Sequence, residues 1–268
     1  LGNLDDVNSA VSKAKEAFTF YSQTSQEKRL ELLKGLLSLM ERRFEDLAQA
    51  MTLEMGVPIT FSRNQQADSG IGHLKSFIES LKDLPEREKL RNGDILVREP
   101  IGVCGLITPW NWPINQITLK VIPALAVGCT CILKPSEHTP LSAMIFAEII
   151  DEVGFPAGTF NLVQGDGPTV GAALAKHPEI QMISFTGSTR AGVQVVKNAA
   201  ETVKRVTLEL GGKSPNIVFS DCDLEERVTA SVIECFSNTG QSCDAPTRML
   251  VEKSCYNEVV NIAKRAGL

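Results

Sequence analysis

The 268-residue sequence has no basic run, no long uninterrupted apolar segment and no recognisable secretory signal. Its net charge is −5 at pH 7 and its lysines and arginines do not cluster, which argues against a nucleic-acid or membrane surface. The longest apolar stretch, residues 114–133, contains Lys120, Pro123 and Gly128 and is too interrupted for a transmembrane helix. We therefore expect a globular protein whose partners are neither nucleic acid nor membrane.

The sequence also lacks the cysteine and histidine patterns of a metal site or a disulfide framework. Seven cysteines fit free thiols in a reducing compartment, so we predict a cytoplasmic location. Cys129 and Cys131 lie in an apolar strand pattern, and no second pair at zinc spacing exists, so no metal is expected. His73, His138 and His177 are scattered, which favours surface or structural roles over a catalytic triad.

The spacing of apolar residues predicts four N-terminal helices, followed from Ile101 by strands that alternate with helices. The helices are expected at about 5–21, 26–40, 41–55 and 63–82, with Ser25 capping the second and Gly56 ending the third. Asn92-Gly93 predicts a β-hairpin within 84–100. The strands at 103–108, 129–133, 159–163, 181–185 and 206–210 predict an α/β fold with a doubly wound parallel sheet. Residues 212–268 are typical of the start of a second α/β domain.

Cys243 lies in a turn-rich segment between a predicted helix and a short strand. The surrounding residues Gly240, Gln241 and Asp244 are polar or flexible, which would leave the thiol accessible. An accessible, stabilised thiolate is a nucleophile. The alternative is a half-buried structural cysteine, the commoner state of a free cysteine.

Five motifs together resemble those of the aldehyde dehydrogenase superfamily, in the same order. They are PWNWP at 109–113, KPSE at 134–137, FTGS at 185–188, LELGGKSP at 208–215 and FSNTGQSCDAPTR at 236–248. The resemblance covers nearly the whole chain. It implies the NAD-dependent oxidation of a small-molecule aldehyde to a carboxylic acid through a cysteine thiohemiacetal and a thioester.

The resemblance also implies a division of the chain. Residues 1–83 and 101–211 would form a Rossmann-like dinucleotide-binding domain, and 84–100 a β-hairpin ribbon for assembly into a homodimer or homotetramer. An ordinary surface hairpin is the alternative for 84–100. Residues 212–268 would begin a catalytic domain that this chain leaves incomplete, because the family's later E-x-F-G-P motif is absent. We therefore expect the apolar faces at Val228, Val232, Phe236 and Val259 to lack part of their cover.

Three residues would carry the chemistry by this resemblance. Cys243 is the expected nucleophile, and the Asn111 amide with the Cys243 backbone N–H would hold the oxyanion. Glu209, expected in an apolar pocket, would activate water to hydrolyse the thioester. Glu209 favours hydrolysis over acyl transfer to coenzyme A, but an acylating dehydrogenase and a non-catalytic binding protein derived from the family remain alternatives. Asp244 and Pro246 depart from the family pattern and leave the aldehyde unidentified.

The expected cofactor site lacks the usual dinucleotide fingerprint. Gly165-x-Gly167 is followed by a glycine one residue too late, and Gly212-Lys213-Ser214 lacks the earlier P-loop glycine. The better candidate is the helix that opens after Gly187, where Ser188 resembles the family's pyrophosphate contact. Lys134 and Glu137 resemble the adenosine-ribose contacts, and Glu137 would repel a 2′-phosphate, which favours NAD over NADP. The full set of expected contacts is Ile107, Thr108, Pro109, Trp110, Lys134, Ser136, Glu137, Gly167, Phe185, Gly187, Ser188, Leu210 and Gly211.

Overall fold

Helices occupy the first 82 residues of the computed structural model, which describes residues 1–267. The Ser25 hydroxyl caps the second helix by accepting from the Lys28 N–H. The third helix ends, as expected, at Gly56 with a φ of 78°, and it begins later than expected because Arg43 leaves the helical conformation. The elements are α1 (Leu4–Tyr21), α2 (Gln26–Arg42), α3 (Phe44–Met55), α4 (Ile59–Phe61), a π-helical turn (Ser62–Ala67) and α5 (Asp68–Lys82).

The predicted hairpin is present as strands β1 (Arg87–Lys89) and β2 (Ile95–Val97), which pair antiparallel. Gly93 adopts a φ of 94° in the connecting turn, a conformation that favours glycine. All six strand residues are exposed. Its role in subunit assembly stays a prediction.

A five-stranded sheet follows, in the order β5-β4-β3-β6-β7. β3 pairs parallel with β4 and β6, and β4 pairs parallel with β5. The predicted doubly wound α/β fold is confirmed. Its elements are β3 (Val103–Ile107), α6 (Pro113–Ala126), β4 (Thr130–Lys134), α7 (Leu141–Val153), β5 (Phe160–Leu162), a π-helical turn (Gly167–Gly171), α8 (Ala172–Lys176), β6 (Met182–Gly187), α9 (Thr189–Ala200) and β7 (Arg205–Leu210).

The helical layer packs on one face of the central strands. Every residue of β3 and β4 is buried, as a parallel strand covered on both faces should be. One apolar cluster joins α2, α3, α5, α6 and α7 to these strands. Tyr21 lies fully buried at its edge and donates its hydroxyl to the Leu125 carbonyl at 3.0 Å.

The chain divides into two units, Leu1–Glu209 and Leu210–Leu268. In the second, β8 (Pro215–Val218) pairs parallel with β9 (Arg248–Val251), and α10 (Leu224–Phe236) packs on α11 (Tyr256–Ala266). One expectation was wrong in part: Val228, Val232 and Val259 are buried, because α10, α11 and the two strands cover one another. Phe236 is 65% exposed, as expected. Whether these units are the dinucleotide-binding and catalytic domains stays a prediction.

Two negative findings apply to residues 1–267. No helix there is both long and apolar enough to cross a membrane. No group of three or more histidine, cysteine or acidic residues is arranged to hold a metal ion.

We predict that Tyr21→Phe lowers the free energy of unfolding by about 1 kcal/mol, because it removes one buried hydrogen bond and leaves the ring in place. Urea unfolding followed by circular dichroism measures the change. Tyr256→Phe is the matched control, since Tyr256 is 54% exposed and should lose nothing measurable. Equal stability of the Tyr21 variant and the unchanged protein would refute the role given to this bond.

Candidate active site

The expected cofactor contacts follow the carboxyl ends of four strands. Parallel strands end on the same side of a sheet, where ligands of such folds bind. Gly167 alone opens the π-helical turn before α8. The others are Ile107 to Trp110 at the end of β3, Lys134, Ser136 and Glu137 at the end of β4, Phe185, Gly187 and Ser188 at β6, and Leu210 and Gly211 at β7.

Lys134 organises the turn after β4. Its buried ammonium donates to the Pro135 carbonyl at 2.6 Å and to the Gly165 carbonyl at 2.7 Å, and pairs with Glu137 at 3.3 Å. Burial lowers the pKa of Lys134 below its ordinary value. Burial acts to raise the pKa of Glu137, but its own backbone N–H and the Lys134 ammonium outweigh burial and hold it low. The Glu137 carboxylate therefore stays ionised and partly exposed.

Ser188 begins α9. Its hydroxyl accepts from the Ala191 N–H at 3.3 Å, so the side chain caps the helix. This is the structural role that a serine at this position has without any ligand. The positive end of the twelve-residue helix lies at the same place and favours an anion. The structure thus provides an anion-favouring helix end, and the pyrophosphate contact stays a prediction.

Two buried hydroxyls support a ligand at this edge. Ile107 pairs with Phe185 at the end of β3 and β6, so Thr108 and Thr186 follow on neighbouring strands. Both threonines are buried, and neither Oγ1 has a hydrogen-bond partner among the described residues. Buried hydroxyls without partners are costly unless a ligand or water completes them. The site therefore fits a polar cofactor, and Thr186 is a residue that the sequence analysis did not select.

The Asn111 loop is held from behind. Gln66, in the π-helical turn before α5, donates its side-chain amide to the Asn111 carbonyl at 3.1 Å. The Trp112 ring contacts Phe61 with centroids 5.8 Å apart. Pro113 then starts α6 at the position where proline fits a helix best. The backbone that presents Asn111 is thereby fixed, as an oxyanion contact requires.

Lys120 is a further residue that the sequence analysis did not assign to the site. It lies on the buried face of α6 and donates to the Ser184 hydroxyl at 2.8 Å. Burial lowers the pKa of Lys120 to about 8, while the nearby Glu209 carboxylate acts to raise it. The available signal was a lysine on an otherwise apolar helix face, at a position where the flanking Ile117 and Val121 are buried.

Glu209 differs from expectation in its surroundings. An apolar pocket is expected for Glu209 from the resemblance, but its side chain is exposed in this structure. The reason is that β7 lies at an edge of the sheet and alternates exposed and half-buried residues. The carboxylate is thus available to solvent.

Cys243 follows a strained turn. Asn238, Thr239 and Gly240 adopt positive φ angles of 50°, 59° and 72° in succession. A β-branched residue such as Thr239 rarely adopts this conformation, and such strain concentrates at functional sites. Gln241 stabilises the turn by donating from its side chain to the Asn238 carbonyl at 3.0 Å. The thiol that follows is exposed.

The glycines before β8 fit this arrangement. A Cβ added to Gly212 would lie 3.5 Å from the Cys243 carbonyl oxygen, so the glycine backbone passes directly beside the cysteine. Arg248 donates to the Lys213 carbonyl at 3.1 Å and ties the two segments together. The sequence motifs around 211–214 and 243–248 are therefore neighbours in the second unit.

Comparison with known proteins agrees with the motif resemblance. A family model described as "Aldehyde dehydrogenase family" matches residues 1–266. This chain belongs to the aldehyde dehydrogenase family. Relatives include 3-succinoylsemialdehyde-pyridine dehydrogenase of a Pseudomonas species, which is 53% identical over 98% of this chain and 55% of its own length.

Solved structures show the same fold. Aldehyde dehydrogenase from Bartonella henselae matches with a TM-score of 0.97 and 51% identity, over 99% of this chain and 56% of that one. A mutant aldehyde dehydrogenase C from Pseudomonas syringae, solved with NAD+ and octanal, matches with a TM-score of 0.96 and 49% identity, over 99% and 54%. The chain thus spans about half the length of the relatives that it matches.

Proposed function

We propose that the whole protein oxidises an aldehyde to a carboxylic acid with NAD+ as hydride acceptor. The observation that carries this proposal is the exposed Cys243 thiol, which a strained turn presents in a chain of this family. The Pseudomonas syringae relative was solved with NAD+ and an aldehyde, which supports the same cofactor and substrate class here.

Cys243 is the nucleophile in this proposal. Its thiolate attacks the carbonyl carbon of the aldehyde and forms a thiohemiacetal. The negative charge that develops on the aldehyde oxygen needs hydrogen-bond donors already in place. The Asn111 side-chain amide and the Cys243 backbone N–H are assigned to this role. The contacts of Gln66 and Trp112 fix the loop that carries Asn111.

NAD+ would supply the hydride acceptor for oxidation of the thiohemiacetal to a thioester. The chain's own residues would hold it. The α9 N-terminus and Ser188 would bind its pyrophosphate, and Lys134 and Glu137 its adenosine ribose. The Thr108 and Thr186 hydroxyls, which lack partners among the described residues, would be available to the same group.

Glu209 is assigned as the general base that removes a proton from the hydrolytic water. The Lys120 ammonium lies near this carboxylate, and the Glu209 charge acts to raise the pKa of Lys120. Lys120 is assigned as a positioning residue, held on α6 by its hydrogen bond to the Ser184 hydroxyl.

One measurement separates this function from its two alternatives. The full-length protein is assayed for NADH formation from a panel of aldehydes, with and without coenzyme A. Sustained NADH and carboxylic acid without coenzyme A support the proposal. Turnover that requires coenzyme A would instead indicate an acylating dehydrogenase. NAD+ binding without turnover on any aldehyde would indicate a non-catalytic protein.

We predict that Cys243→Ala in the full-length protein lowers kcat by about 10⁴-fold or more, because removal of a covalent nucleophile has effects of this size. NAD+ affinity, measured by calorimetric titration, should change little. Cys222→Ala is the matched control, because Cys222 is also an exposed thiol of the second unit. Wild-type turnover in the Cys243 variant would overturn the assignment of the nucleophile.

We predict that Glu209→Gln lowers steady-state turnover by about 10²-fold, the scale of lost general-base catalysis, and leaves the first step intact. Stopped-flow absorbance should then show a rapid burst of NADH close to the concentration of active sites, followed by a slow phase. Glu201→Gln, an exposed change at the end of α9, should behave as wild type. A full steady-state rate in the Glu209 variant would count against this residue as the base.

We predict that Glu137→Gln raises kcat/KM for NADP+ by about tenfold, equal to about 1.4 kcal/mol, because it removes a fixed negative charge from the expected 2′-phosphate site. Parallel assays with NAD+ and NADP+ measure the ratio, and Glu179→Gln serves as a control on an exposed carboxylate elsewhere. An unchanged ratio would contradict the placement of Glu137 beside the ribose.

A further inference from the structure

Helices α5 and α6 carry a group of polar side chains to which the proposed chemistry gives no role. The helices pack closely at Gly70 of α5, where an added Cβ would be 3.1 Å from the Ile114 side chain and 3.5 Å from the Ile114 carbonyl oxygen. One turn earlier, Gln66 contacts the Asn111 carbonyl. The contacts thus advance in the same direction along both segments, and the polar group lies next in this order, beyond the Asn111 loop.

Three side chains form this group, which we call the polar trio: His73 of α5, and Asn115 and Gln116 of α6. The Asn115 side-chain nitrogen lies 2.9 Å from His73 Nε2. The Gln116 side-chain amide donates to Asn115 Oδ1 at 3.3 Å. All three residues are half-buried. A chain of hydrogen bonds therefore joins the two helices, and part of each side chain stays accessible.

These contacts leave hydrogen-bonding groups of the trio available. An amide nitrogen can only donate, which assigns His73 Nε2 as the acceptor and places the ring proton on Nδ1. Burial lowers the pKa of His73, which favours the same neutral ring. The Nδ1–H has no acceptor, and the Gln116 side-chain carbonyl no donor, among residues 1–267. The trio can therefore donate to and accept from a ligand without carrying a charge.

The trio belongs to a face of α6 that starts directly after Asn111. The members of this face recur at spacings of three and four residues, so they lie on one side of the helix. They are Trp112, Asn115, Gln116 and Leu119, all half-buried or exposed. The opposite face packs into the main apolar cluster. An aldehyde whose oxygen is held by the Asn111 amide can therefore extend its tail along the accessible face and reach the trio.

We propose that the polar trio binds the tail of the aldehyde and selects aldehydes that carry an uncharged hydrogen-bonding group there, such as a keto carbonyl. This inference rests on the proposed aldehyde oxidation with Asn111 at the carbonyl oxygen. A keto oxygen accepts from the His73 Nδ1–H. A plain alkyl tail displaces water from the trio and leaves its polar atoms unpaired, which disfavours such a tail. A carboxylate tail gains no ion pair, because the trio has no cation.

The test compares matched aldehydes on the full-length protein. Nonanal is set against nonanals in which a keto carbonyl replaces one methylene at successive positions of the tail, and kcat/KM is measured by NADH absorbance. At the position that meets the trio, the keto aldehyde should exceed nonanal by about tenfold, the scale of one hydrogen bond in a desolvated site. A series in which no keto aldehyde exceeds nonanal would overturn the proposal. So would a preference for the matched aldehyde whose tail ends in a carboxylate.

Matched variants assign the selectivity to the trio. Asn115→Leu and Gln116→Met keep the approximate size of each side chain and remove its polar atoms. Each should lower the ratio of kcat/KM for the best keto aldehyde to that for nonanal by about tenfold. Asn198→Leu is the control, because Asn198 is also a half-buried helical asparagine that accepts from a glutamine amide, that of Gln194, at 3.0 Å. Its ratio should not change.

A purely structural role for the trio gives a different result. Variants that lower the melting temperature and leave the ratio unchanged would show that this face only supports packing, and would overturn the proposal. The series on the unchanged protein decides the question even if a variant does not fold. Equal kcat/KM for nonanal and every keto aldehyde would refute the trio alone. No NADH from any aldehyde would refute the proposed oxidation, and this inference with it.

Discussion

The parallel pairing of β3 with β4 and β6 is the constraint on which the site depends. Parallel strands end at one side of the sheet, so the three motifs that follow them are brought together although 77 residues separate Ile107 from Phe185 along the chain in the paired register. The buried Thr108 and Thr186 each directly follow a residue of the last β3–β6 pair, and neither hydroxyl has a hydrogen-bond partner among the described residues. Without this register, the motifs would be unrelated surface turns.

Much of the fold could be predicted from sequence because local signals agreed with the tertiary structure. Helices α1 and α2 lie within two residues of their predicted bounds, and Ser25 and Gly56 act as the expected helix signals. The boundaries that moved did so where local conformation departs from regular geometry, as at Arg43. The second unit was harder to predict, because whether Val228 and Val259 are covered depends on how α10 packs on α11, which no local pattern shows.

The candidate site also contains features that the sequence could predict and features that it could not. Motifs could indicate Cys243, Asn111 and Glu209 as chemical groups, but not their surroundings. The exposure of Glu209 follows from the edge position of β7, and the strain at Thr239 follows from a turn whose φ angles no residue type specifies. The sequence does not single out Lys120, because its hydrogen bond to Ser184 and its electrostatic interaction with Glu209 join residues that are distant in sequence. Such long-range interactions cannot be predicted from local sequence patterns.

The central claim is that Cys243 carries the acyl group during aldehyde oxidation. The most direct measurement mixes the full-length protein with NAD+ and one aldehyde, stops the reaction with acid within the first turnover, and determines peptide masses after digestion. We predict that the peptide containing Cys243 gains the mass of the aldehyde less two hydrogens, as a thioester requires. An unmodified Cys243 in a sample that has formed NADH, or the same mass gain on Cys222 or Cys235 instead, would contradict the account.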